Sequence, residues 1–127
     1  MGYDYITFDD FGIMLDEVAE LLPAEIFVNL NGGINLLPET KLHPESTAAC
    51  LYILGEYHSG GNLGRYINIY YGSFMEVYGR GSLKNLRIQL DKVLRHEFLH
   101  HLESMAGEKE LEIKDKIDLE RYKIRWS

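Results

Sequence analysis

His96-Glu97-Phe98-Leu99-His100 places two histidines four residues apart, with a glutamate directly after the first. On a helix, residues four apart share a face, so both imidazoles can bind one Zn²⁺. Glu97 is turned about 100° from His96, toward the open side of such an ion. A carboxylate there can take a proton from water on the metal and later pass it to a leaving amine. Zinc lowers the pKa of that water toward ~7, which makes hydroxide available at neutral pH. These residue types at this spacing point to metal-assisted hydrolysis, with His96 and His100 as ligands and Glu97 as general base. Nitrogen and oxygen donors also accept other divalent ions, because selectivity is set by geometry and supply.

A site of this kind needs a helix beneath it. Ser82 is a good N-cap, and Leu83, Leu90, Leu94, Phe98, Leu102 and Met105 fall on one side of the helical wheel beyond it. Gly107 stands where a glycine ends a helix. His96, His100, Glu103 and Gln89 form a separate side, so the helix has one face to anchor it and another to present ligands.

The remaining elements are read from periodicity and punctuation. Thr7 caps a first helix over residues 9–22, Asp10 can close a variant capping box, and Phe8, Phe11, Leu15, Val18 and Leu22 repeat at helical spacing before Pro23. Residues 26–30 read as a strand ended by Asn31-Gly32-Gly33. Pro38 and Pro44 make 37–46 an irregular loop. Residues 49–54 read as a buried strand, 55–61 as a turn and 65–71 as a strand, with Gly60 and Gly61 inside an antiparallel hairpin. Gly72, Gly79 and Gly81 break up the stretch after that strand, and a second, charged helix is expected over 108–126. The expectation is an α+β fold: one domain, 1–127, with a small mixed sheet, an N-terminal helix and a central helix carrying the histidines.

Composition narrows the functional classes. The chain has 127 residues, 46% hydrophobic and 26% charged, an ordinary globular balance. Its net charge is −7, and residues 1–60 hold one base, Lys41, against ten acids, which argues against a nucleic-acid partner. A single cysteine, Cys50, precludes an intramolecular disulfide, and the first ten residues hold no base, so a cytoplasmic setting is expected. No run approaches 18 apolar residues, so no membrane span is expected.

Other chemistry-bearing residues read as structural. His101 lies near the core side of the wheel, where a packed, hydrogen-bonded histidine fits. Tyr57, His58, Tyr70 and Tyr71 are strand aromatics first and oxyanion donors second. Gly60-Gly61-Asn62-Leu63-Gly64 has no following Lys-Ser/Thr and is not a phosphate loop. His43 sits in the proline loop, and Cys50 reads as a small buried hydrophobe.

Leu54-Gly55-Glu56-Tyr57, the strand Ile67-Asn68-Ile69-Tyr70 and the run from Leu94 to His101 together resemble the small bacterial zincin-like metallopeptidases. The order of elements agrees, an N-terminal helix ending in Leu22-Pro23, then strands, then the histidine helix. The resemblance implies a zinc-dependent peptidase acting on a peptide or protein. Zincins commonly add a third ligand after the helix turns. In one pattern a glycine and a ligand stand three and six residues past the second histidine, where this chain has Glu103 and Ala106. A turn displaced to Gly107 would bring back Glu108, the first choice for third ligand. Glu103 and Glu120 are its rivals, ahead of Glu110, Glu112 and Asp115.

Two readings compete with hydrolysis: a metal-binding module that recognises a peptide or partner protein without cutting it, and a purely structural domain. An extended peptide could add to an exposed edge strand, for which 65–71 is the candidate. Oligomeric state has no signature in the sequence.

Overall fold

Thr7 opens the first helix in the expected way: its hydroxyl accepts the backbone N–H of Asp10 at 3.0 Å. The computed structural model of the chain describes residues 6–45, 51–62 and 64–107. Helix α1 (Phe8–Glu20) buries Phe11, Met14, Leu15 and Val18, the apolar stripe read from the sequence, and ends before Pro23. The expected helix over 108–126, Cys50, and the candidate ligands Glu108, Glu110, Glu112, Asp115 and Glu120 lie outside the described residues.

The apolar run 26–30 is not a strand. Ala24–Phe27 form one 3-10 turn behind Pro23, and Asn29 has φ 62°, which ends any extended run. Ile26 and Leu30 are buried while Val28 is exposed, a spacing of four rather than the alternation a strand would need. The strand comes afterwards, as β1 (Gly33–Leu37).

β2 (Lys41–Leu42) and β3 (Tyr52–Ile53) form a short antiparallel pair in and beyond the proline loop. The strand expected over 49–54 is thus shorter and only half-buried in its described part. Residues 55–58, expected as a turn, are strand β4 (Gly55–His58), which pairs antiparallel with β5 (Tyr66–Tyr70). Gly55 marks a close approach rather than a turn. A Cβ there would stand 3.0 Å from Val93 Cγ1 and 3.1 Å from Ile69 Cδ1. Gly60 and Gly61, both at positive φ, lie between β4 and β5, so the antiparallel hairpin forms with 55–58 as its first strand and not with the expected 49–54.

The main sheet has the order β1-β5-β4, with β1 parallel to β5. It is a mixed sheet in an α+β fold, as expected. β5 is therefore the central strand, and the edge expected at 65–71 is covered on both sides by the chain itself. Ile67 and Ile69 are fully buried, and Asn35 and Asn68 share a side-chain hydrogen bond across the β1–β5 register.

Helix α2 (Tyr71–Tyr78) follows β5 directly, through the glycine read as a breaker. A Cβ on Gly72 would come within 2.7 Å of the Glu39 carbonyl group, so glycine lets the 39–40 backbone cross here. Helix α3 (Leu83–Gly107) starts at Ser82, whose hydroxyl accepts the Asn85 N–H at 3.0 Å. Leu90, Leu94, Phe98 and Leu102 join the core cluster with side chains of α1 and the sheet, and Met105 is also fully buried. Leu83, placed on the same side by the wheel, is 60% exposed, and the burial of the stripe begins at Leu86. Truncating a core side chain such as Phe98 to alanine costs about 3–5 kcal/mol, so this stripe sets the rotation of α3 and the direction in which its histidines point.

Candidate metal centre

With Leu94 and Phe98 held in the core, His96 and His100 are carried to the exposed face one turn apart. Their Nε2 atoms face each other at 3.0 Å, with ring centroids 4.5 Å apart and planes at 86°. A zinc ion bound by two imidazoles at ~2.0–2.1 Å in tetrahedral geometry sets those nitrogens about 3.3 Å apart. The pair therefore fits a shared cation to within a few tenths of an ångström. Burial, and next the neighbouring His100, lower the His96 pKa, which favours the neutral imidazole that ligates metals.

Glu97 is turned away from solvent and only 7% exposed. Burial raises its carboxyl pKa to about 7, Glu56 adds to the rise, and the Tyr57 backbone N–H, donating to the carboxylate, opposes it. That contact joins α3 to β4. In the β4–β5 ladder, the Tyr70 N–H donates to the Leu54 carbonyl at 3.0 Å. Antiparallel alternation then directs the backbone groups of Glu56 and His58 toward β5, and those of Gly55 and Tyr57 toward the outer edge. No described strand pairs with that edge.

Beside the edge lies an open cleft of about 870 Å³, walled by Glu56, Tyr57 and His58 from β4 and by His96, Glu97 and His100 from α3. His43 and Glu103 also reach it. A smaller space of about 360 Å³, lined by Tyr52, Leu54, Lys92 and Val93, continues past Gly55 and shares His96 and Glu97. His96 and Glu97 line both spaces, and His100 lines the larger one.

Glu103 meets the other nitrogen of His100. Its carboxylate is 3.9 Å from Nδ1, too long for a hydrogen bond, on the side of the ring facing away from His96. Glu103 thus stands beside the histidine pair without a hydrogen bond to His100, and its charge also acts on His96. Among the described residues, no group of three or more His, Cys, Asp or Glu side chains converges on a point.

The tyrosines considered as oxyanion donors are engaged elsewhere. Tyr57 bonds to His101, Tyr70 to Glu56 at 2.6 Å, and Tyr71 to the Ile6 carbonyl. His101 is fully buried and hydrogen-bonded, as its place on the wheel implied. The wall residue that sequence reasoning did not single out is Glu56. Burial pushes its pKa up, but Lys41 at 2.7 Å, Tyr70 and His58 outweigh that and hold it below the usual carboxylate value. The sequence offered Glu56 only as part of the 54–57 run of the resemblance, in a segment read as a turn and with no role of its own.

A solved structure shares this architecture. A conserved hypothetical protein from Thermus thermophilus is 33% identical, superposes with a TM-score of 0.71, and aligns over 80% of this chain and 99% of its own. This chain belongs to that protein's family. The alignment takes in nearly the whole Thermus chain. No family model matches the sequence, and neither does any curated protein. Among the described residues no helix is long and apolar enough to cross a membrane.

Proposed function

We propose that this chain is a zinc-dependent metallopeptidase of the zincin-like kind, hydrolysing peptide bonds in a groove along β4. The observation that carries the reading is the convergence of the His96 and His100 Nε2 atoms at 3.0 Å, with Glu97 buried beside them. A bound zinc ion would supply Lewis acidity at the scissile carbonyl and an acidified water.

The chain's own residues do the rest. His96 and His100 hold the ion. Glu97, with a carboxyl pKa of about 7, takes a proton from the attacking water and returns it to the leaving amine. The Tyr57 N–H holds the carboxylate between those two transfers. The outward N–H and C=O of Gly55 can pair with an extended substrate, which adds to the edge of β4 as one more strand. The missing side chain at Gly55 keeps that edge close over the helix. The third ligand is assigned to the segment beyond Gly107, with Glu108 first.

Glu97→Gln is the test. In a peptidase it keeps the metal and abolishes hydrolysis; in a non-cutting recognition module it leaves peptide binding and every other activity unchanged.

A further inference from the structure

His101 stands outside the pair that faces the cleft, yet both of its ring nitrogens are engaged. Nε2 is 2.8 Å from the Val28 carbonyl, and Nδ1 is 2.9 Å from the Tyr57 hydroxyl. A carbonyl can only accept, so Nε2 carries a proton, and full burial keeps the imidazole neutral, which leaves Nδ1 bare. The Tyr57 hydroxyl is therefore the donor to Nδ1. One neutral imidazole, fully buried, ties together the turn after residues 24–27, helix α3 and strand β4.

We propose that His101 is a positioning residue that acts through Tyr57 to hold the Tyr57 backbone N–H on the Glu97 carboxylate. This rests on the reading of Glu97 as the proton carrier. His101 is four residues beyond Glu97, so the two lie on the same side of α3, one turn apart, beneath β4. Tyr57 reaches both of them, His101 with its side chain and Glu97 with its main chain. Among the described residues β4 is paired on one side only, so its backbone needs something besides β5 to set its height above the helix. The phenol–imidazole bond supplies that anchor one residue's width from the carboxylate. An apolar side chain at 101 could fill the same space without needing partners, whereas a buried histidine is costly unless both nitrogens are satisfied. Here both are, and the partners are the two segments that flank the helix.

The test is amide hydrogen exchange, read residue by residue by NMR on the full chain. Tyr57→Phe keeps the ring and removes the hydroxyl. Exchange at residue 57 is expected to quicken about tenfold, the equivalent of one hydrogen bond, while Ile67 and Ile69 in the central strand keep their protection. His101→Phe should do the same. His101→Gln, with an acceptor for Tyr57 and a donor for Val28, should restore most of the protection. Unchanged exchange at residue 57 in Tyr57→Phe overturns the proposal, as does a loss spread equally over Ile67 and Ile69, which would mean that the contact only stabilises the fold. With a cleavable peptide, both disrupting variants should lose kcat with KM and zinc content unchanged. If the natural chain cuts nothing, the hydrolytic reading falls, and the exchange measurement still decides whether His101 holds this contact.

Discussion

A Cβ on Gly55 would stand 3.0 Å from Cγ1 of Val93, so the edge strand and the histidine helix touch where no side chain can intervene. Gly55→Ala is expected to push β4 off α3 and to destabilise the chain by about 1–3 kcal/mol, the usual cost of overpacking. Removing the nearest obstacle should recover part of that loss. The double variant Gly55→Ala/Val93→Ala should therefore be more stable than the two single losses sum to, as read from urea unfolding. Strict additivity would show that the contact does not set the spacing.

This contact also explains what the sequence did and did not disclose. The apolar stripe of α3 was legible because its spacing persists from Leu90 to Met105, and the ligand face followed from it. Thr7 and Ser82 were legible because capping is local chemistry. Gly55 and Gly72 were not, because a glycine needed for close approach looks the same in sequence as one needed for a turn. That misreading removed β4 from the expected sheet, and with β4 absent β5 was taken for an edge. The strand expected at 26–30 failed for a related reason: Ile26 and Leu30 are buried as members of the common core, in a run too short for periodicity to distinguish a turn from a strand. The role of Glu56 was invisible because its neighbours Lys41 and Tyr70 are distant in sequence.

Glu97 should make the metal-free protein sensitive to pH. Its folded pKa is raised from 4.5 to about 7, so the folded state holds a proton that the unfolded chain releases more easily. That contribution is fully present below 4.5 and is lost as pH rises through 7. At 1.36 kcal/mol per unit the loss is roughly 3 kcal/mol at most. In EDTA, Glu97→Gln should therefore gain stability relative to the natural chain between about pH 5 and pH 8, as read from urea midpoints. A difference that stays constant across that range would show that the carboxyl is not held protonated by burial.

The central claim is that His96 and His100 share a metal ion, and the most direct measurement is metal content by mass spectrometry. The protein is purified without chelator or metal-affinity resin, alongside His96→Ala, whose substitution on the exposed face spares the core. The expected result is close to one zinc per chain in the natural protein and little or none in the folded variant. No bound metal in the natural protein, even after zinc is added back, would contradict the account.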